Sequence, residues 1–484
     1  MTVVPRLVVA APASGHGKTT VTLGLLAAYA ARGLRVSPHK VGPDYVDAGY
    51  HALAAGRPGR NLDPYLVGPA LVAPLFAHGA RAADLAVVEG TMGLYDGVNG
   101  HGELGSTAQV AAALRAPIVL VVDVAAQGRS VAALVHGFRS YEPSVWLAGV
   151  ILNRVGSQRH EQVLREALEE IAVPVFGVLY RRDQAGLPSR HLGVMPAVER
   201  TAEAVDAVQR MGDLVATGVD LDRLLWVARS APPFSAEPWS PEIAVDGVDT
   251  DRPAVPPVVA VAGGTAFNFG YAETVELLEA AGARVARLDP LRDDALPAGT
   301  CALVVGGSLP ESRADGLAEN EPLRKSVRDL AAHGAPIVAE TAGLLWLTRS
   351  LDGKPMCGVL NAEARTLEHP TLGYRNAVAA SDSVVLHEGA RLNGHMFHRT
   401  EVTPRAGAIP AWQWAGRPPE GFVQAGVHAS YLHIHWTSHP RIATRLVQAA
   451  ARLAATRADT SVKIAVPVGA PTASPAASGP DTPS

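Results

Sequence analysis

The chain has 484 residues, 48% of them hydrophobic and 18% charged, with a formal net charge of -4. That balance describes a globular chain of two or three domains, and it excludes a disordered chain and a basic protein that coats nucleic acid. Its two cysteines, Cys301 and Cys357, are too few for a disulfide framework or a zinc site.

Met1–Arg6 leads straight into a first strand, so no secretory leader is expected, and no apolar run reaches the roughly 20 residues that cross a bilayer. The expectation is a cytoplasmic protein with no membrane and no nucleic-acid partner. Leu7–Ala11 reads as a buried strand, Pro12–Gly17 as a loop of small residues, and Lys18-Thr19-Thr20 as the start of an apolar-periodic helix ending near Arg32. Strand, glycine-containing loop and helix with Gly-Lys-Thr at the join is a phosphate cradle. Backbone N–H groups and the helix N-terminus face the anion, Lys18 adds a charge, and the Thr19 hydroxyl reaches Mg²⁺. Ser14, Gly15, Gly17, Lys18, Thr19 and Thr20 are therefore expected to bind a nucleotide. The first glycine of the usual pattern falls on Pro12, so the loop is a variant; the alternative is a turn that only links strand to helix.

Val36–Val41, Leu85–Val88, Ile118–Val122, Gly149–Leu152 and Val173–Leu179 are further buried-strand candidates. Helical stretches such as Gln158–Ile171 lie between them. That alternation predicts a parallel, doubly wound α/β sheet over residues 1–230. Residues 231–256 are rich in Pro, Ser and Asp and read as a linker. A second α/β series occupies 257–454, with strands at Val258–Val261, Ala283–Leu288, Ala302–Val305 and Pro336–Ala339. Its helices lie around Ala272–Ala281 and Leu323–Ala332. Residues 455–484 show no periodicity and are expected to be a disordered tail.

Three segments place acids near the phosphate loop. Asp44 and Asp47 follow the second strand, Glu89 ends the strand Leu85–Val88, and Asp96 comes shortly after. Doubly wound sheets bind ligands at the C-terminal edges of their strands. Mg²⁺ takes few protein carboxylates together with phosphate oxygens. Thr19, Asp47 and Glu89 are thus the expected metal ligands, with Asp44 and Asp96 left to position substrate. For each acid alone, the alternative is a solvated turn residue or a helix cap. Asn153 ends another strand and is expected to read an adenine edge, or else to be a turn residue. Pro188–Gly193, with Glu199 beyond, yields nothing from spacing.

These motifs carry a resemblance. APASGHGKTT, KVGPDYVDAGYH, GRNLD (Gly59–Asp63), VEGTMGLYDG (Val88–Gly97), GSTAQVA (Gly105–Ala111), ILNRVGSQRH (Ile151–His160) and SRHLG resemble the cobyrinic acid a,c-diamide synthase family. The family includes enzymes for metal-free hydrogenobyrinic acid. The match runs in register to about residue 450, and the N-terminal half is also similar to dethiobiotin synthetase. The resemblance implies ATP-dependent phosphorylation of peripheral corrin acetates followed by amidation. It places Lys18, Tyr45, Asp47, Glu89 and Asp96 at the synthetase site, Tyr45 there with Asp44 to contact substrate. ATP and Mg²⁺ are the implied cofactors, with a corrinoid substrate and glutamine or ammonia as nitrogen source. The oligomeric state, a homodimer included, stays open.

The second half resembles a class I glutamine amidotransferase. Pro336–Glu340 is the strand, residue 341 the sharp elbow, and Ala342–Leu347 the helix. His433, in Ala429–Trp436, matches the family's general base, or else is a satisfied structural histidine. Ala266–Tyr271 resembles a segment at the domain interface, so Tyr271 is expected to touch the corrinoid; the alternative is an aromatic packing cluster. The chain departs from the family where it matters most. Thr341 stands at the nucleophile position that is cysteine in the family. An internal threonine is a far weaker nucleophile than a thiolate, and Cys301 and Cys357 read as core residues. The loop Gly306–Glu311 is one residue longer than usual, and Met396 replaces a usual glutamate. The expectation is a synthetase with an impaired glutaminase. A non-catalytic paralogue that binds nucleotide or corrinoid is the alternative, but it has no need of Lys18, Asp47, Glu89 and Asp96 together. A partitioning-type ATPase would leave the second domain unexplained and would carry a lysine where this chain has Ala13.

Overall fold

The computed structural model describes residues 3–184, 202–246, 252–308 and 310–464. Pro188–Gly193, Glu199 and the end of the chain from 465 lie outside them, as does Leu309 of the loop Gly306–Glu311.

The first domain is built on β1 (Arg6–Ala10), β2 (Val36–Val41), β3 (Arg60–Leu62), β4 (Leu85–Glu89), β5 (Ile118–Asp123), β6 (Leu147–Val155) and β7 (Val175–Tyr180). They form one sheet in the order β3-β2-β4-β1-β5-β6-β7, every pair parallel. β1, β2, β4 and β5 are buried almost throughout, which is why they read as continuous apolar runs. Helices cover both faces. α1 (Lys18–Ala31) packs against the helix Ala202–Gly218 on one side. The core on the other side runs without a break into the second domain.

The second domain has a six-stranded sheet, among the described residues, of β8 (Val258–Ala262), β9 (Arg284–Leu288), β10 (Thr300–Val305), β11 (Ile337–Glu340), β18 (Phe422–Gln424) and β19 (Val427–Ser430). The order is β18-β19-β11-β10-β8-β9, parallel except for β18. A third sheet is inserted between β11 and β18. It holds β12 (Ser350–Leu351), β13 (Lys354–Pro355), β14 (Glu363–Ala379), β15 (Arg391–Thr403), β16 (Trp412–Trp414) and β17 (Arg417–Glu420), dominated by the antiparallel hairpin β14–β15. One face of that hairpin meets the first domain. There Tyr374 donates to Asp63 Oδ2 at 2.8 Å and Asn393 Nδ2 donates to Tyr65 O at 2.9 Å.

Two expectations change. The C-terminal helix is continuous from Arg441 to Ile464, past the point where apolar periodicity stops; Ala and Arg extend a helix by propensity without a buried face. The segment after Ala231 is not a free linker either. It contains the helix Pro241–Asp246, and Trp239 N donates to Pro74 O at 3.0 Å. Among the described residues, no helix is long and apolar enough to cross a membrane.

Candidate active site

The phosphate loop lies between β1 and α1. Gly17 caps α1 in a left-handed conformation (φ 96°), and Gly15 shares that region (φ 86°). A Cβ on Gly17 would stand 2.2 Å from Asn153 Nδ2. That amide donates to His16 O at 2.8 Å, and His16 Nδ1 accepts from Asp123 N at 2.9 Å. Asn153 thus braces the loop from the C-terminal end of β6, its amide donated to the loop backbone. Ser14 is exposed on the loop, and Thr20 lies in the first turn of α1. Lys18 Nζ donates to Ala13 O at 3.2 Å and to Met92 O. Burial, with the Lys40 charge next, pushes the Lys18 ammonium down to about 8.

Thr19, Asp47 and Glu89 converge. Thr19 Oγ1 donates to Glu89 Oε1 at 2.6 Å and stands 3.5 Å from Asp47 Oδ2. Two residues that sequence reasoning missed complete this cluster. Lys40 Nζ, from β2, donates to Asp47 Oδ2 at 2.6 Å and Glu89 Oε1 at 2.9 Å. His51 Nε2 bonds the other Glu89 oxygen at 2.6 Å. Asp47 and His51 are four apart on α2 (Tyr45–Ala55), so both face the sheet edge. Burial raises the Asp47 carboxyl to about 6 against the pull of Lys40. Glu89 is held well below the usual range, because the Lys40 charge and the His51 bond overcome the cost of burial. Burial opposes the Lys40 charge, but Asp47 and Glu89 outweigh it and raise its pKa.

Among the described residues, no three or more His, Cys, Asp or Glu side chains form a protein-only metal cage. Mg²⁺ on a nucleotide needs none, since it retains water and phosphate ligands. The donor set here is all oxygen, and an ammonium already sits against two of the three groups, so the residues fit a hard cation.

Asp96 Oδ2 accepts from Gly93 N at 2.8 Å and shapes the loop after β4. Asp44 is the N-cap of α2, its Oδ1 accepting from Val46 N and Asp47 N at 3.0 and 3.1 Å. For Asp44 the helix-cap alternative describes the geometry. Tyr45 and Tyr271, expected to touch substrate, bond each other across the domains, hydroxyl to hydroxyl at 2.8 Å, and both are buried. Tyr45 also packs edge-on against His433, with centroids 4.5 Å apart. A cavity of about 210 Å³ lies beside them, lined by Asp44, Tyr45, Thr91, Phe269, His395 and Phe397.

At the elbow, Thr341 sits between β11 and the helix Ala342–Leu347 with φ 49° and ψ -101°. A β-branched residue there is strained, as nucleophile elbows are. Its N–H donates to Ser430 O at 2.8 Å and its hydroxyl to Tyr431 O at 3.2 Å. His433 Nδ1 is 2.5 Å from Glu340 Oε2, off the line of a good hydrogen bond, and Nε2 has no hydrogen-bond partner among the described residues. The elbow, the histidine and the acid are brought together, but the Thr341 hydroxyl is turned to a carbonyl. Met396 lies on β15, and Cys301 and Cys357 are both buried.

Residues 7–194 match the CobQ/CobB/MinD/ParA nucleotide binding domain family, and residues 258–441 the CobB/CobQ-like glutamine amidotransferase domain family. The hydrogenobyrinate a,c-diamide synthase of Streptomyces coelicolor is 58% identical over 472 residues, covering 92% of this chain and 97% of that protein. That of Thermobifida fusca is 50% identical over 464 residues, covering 93% and 97%. The cobyrinate a,c-diamide synthase of Gloeobacter violaceus is 40% identical over 455 residues, again covering 93% and 97%. With both domains matched in order and relatives aligned end to end, the chain belongs to the hydrogenobyrinate/cobyrinate a,c-diamide synthase family of ATP-dependent ligases.

Proposed function

We propose that this chain amidates the a- and c-acetate carboxylates of hydrogenobyrinic acid at the expense of ATP, and that its own glutaminase is impaired. The metal-free substrate follows the relatives of highest identity quoted above. An acetate oxygen attacks the γ-phosphorus of ATP and ADP leaves. Ammonia then attacks the acyl carbon, phosphate leaves, and the nitrogen sheds a proton. Lys18 and the loop N–H groups neutralise the phosphates, and Asn153 holds the loop in shape. Thr19, Asp47 and Glu89 would hold Mg²⁺, which would supply positive charge to neutralise the phosphates. The cleft at Asp44, Thr91 and Phe397 admits the acetate arm. Positioning and charge compensation are what this reaction needs from the protein.

The impairment rests on one observation, the Thr341 hydroxyl donated to Tyr431 O rather than to His433. Glutamine hydrolysis needs a nucleophile activated by its base. The test is amide formation by the purified chain with MgATP and hydrogenobyrinic acid, read by mass, with ammonium or glutamine as nitrogen source. Product with ammonium at a rate roughly tenfold or more above that with glutamine is expected, and Thr341→Cys gains glutamate release. Equal product from both would overturn the impaired glutaminase. No product from either would overturn the ligase reading.

A further inference from the structure

Lys40 is the only cation that touches both metal-ligand carboxylates by hydrogen bond among the described residues. Its side chain is 4% exposed, and those of Asp47 and Glu89 are 12% and 0% exposed. β2 and β4 place Lys40 and Glu89 side by side in register. All three ammonium protons have acceptors, the third being Gly90 O at 3.4 Å. His51 occupies the second oxygen of Glu89, so Oε1 is the oxygen left to face the phosphate loop, and Lys40 and Thr19 share it.

We propose that Lys40 is an internal placeholder for the divalent cation, covering Asp47 and Glu89 in the nucleotide-free protein and yielding them only when a nucleotide brings its phosphates. The proposal rests on the reading of Thr19, Asp47 and Glu89 as the metal site. Two buried carboxylates this close need a counter-charge, and Lys40 supplies it without a metal. A dication arriving alone would meet that ammonium at contact distance in a low-dielectric site, where like charges repel strongly. Nucleotide phosphates change the balance. They give the displaced ammonium an anionic partner, so the metal and Lys40 can both stay. Metal and nucleotide binding become coupled, and the coupling acts equally in both directions.

The test uses Mn²⁺ as a spin probe on the full chain, with and without adenylyl imidodiphosphate. The wild type is expected to bind Mn²⁺ alone roughly tenfold or more weakly than with the analogue. Lys40→Met and Lys40→Gln are expected to bind Mn²⁺ alone roughly tenfold or more tightly than the wild type does. Lys40 variants no tighter than wild type without nucleotide would overturn the placeholder. Thr19→Ala and Glu89→Gln test the underlying reading separately. If analogue-dependent Mn²⁺ binding survives in both, the metal site itself is misplaced. Should the Lys40 variants fail to fold, isotope-labelled lysine in the wild type decides. The Lys40 ammonium resonance should move when Mg²⁺ and the analogue are added together, and an unmoved resonance overturns the proposal.

Discussion

Gly17 has no side chain to collide with Asn153, and the nucleotide loop depends on that absence. Gly17→Ala must both adopt a left-handed backbone and displace the amide that holds His16 O. The backbone penalty alone is about 1–2 kcal/mol. We expect that loss in denaturant unfolding, with nucleotide affinity falling roughly tenfold or more by calorimetry. Glu420 sets a second test at this scale. Its oxygens accept from Ser430 Oγ and Tyr431 N, in the segment that receives both Thr341 bonds. Burial raises this carboxyl from 4.5 to about 7. An acid raised on folding stabilises below its unfolded value, and that contribution disappears as pH climbs from 4.5 to about 7. The shift corresponds to about 3 kcal/mol. Buried His39, His395 and His428 are all pushed down to about 3 and give the opposite slope, favouring the fold as pH rises toward 6.5. They cancel in a comparison. Unfolding of Glu420→Gln, measured against wild type from pH 4 to 8, should therefore gain about 3 kcal/mol across that window.

One helix, α2, organises the cluster of Thr19, Lys40, Asp47, His51 and Glu89. It starts at the Asp44 cap, sends Tyr45 to the domain seam, and presents Asp47 and His51 to Lys40 and Glu89. Asp44→Ala should cost about 1 kcal/mol of stability and weaken MgATP binding, whereas Asp44→Ser should restore both. Rescue by a neutral cap would separate capping from a charge-dependent contact with substrate. Most parallel strands were legible because their residues are buried on both faces, although β6 runs from Leu147 to Val155, beyond the apolar run Gly149–Leu152, and the short β3 and β19 were not read at all. The phosphate loop was legible from its motif between β1 and α1, and Glu89 because it ends the buried β4, whereas Asp47 lies in the first turn of α2. The hairpin β14–β15 was not. β14 is largely exposed or half-buried and polar, with a register shift between Thr366 and Thr371, and β15 alternates buried and open positions but buries small and polar residues such as Gly394, His398 and Thr400. Lys40 and His51 were missed for a related reason. A lone histidine reads as a satisfied structural residue, Lys40 falls inside the run read as the strand Val36–Val41, and their partners come from separate elements. The four-residue spacing of Asp47 and His51, with Lys40 level with Glu89, was the available signal.

The two domains are joined by ionic and aromatic contacts. Arg60 Nη1 donates to Glu273 at 2.6 Å and Nη2 to Glu276 at 2.5 Å, while His78 Nε2 pairs with Glu276 at 2.9 Å. The Glu273 side chain is 2% exposed. Arg60→Ala would strand it without a counter-charge, at about 3 kcal/mol or more. Thermal unfolding should show the drop, with Arg60→Lys recovering part of it.

The segment after Ala231 bears on how the protein absorbs heat. Arg115 Nη1 donates to Pro233 O at 2.9 Å, and the buried Arg6 guanidinium donates to Pro232 O. Phe234 packs on Phe76 and Trp239 edges onto His78. The helix Pro241–Asp246 then lies against the helix Ala272–Ala280. A tether held at these points stores little independent motion, and the core beneath it passes from one half to the other. Scanning calorimetry should therefore record a single endotherm in which neither half melts ahead of the other.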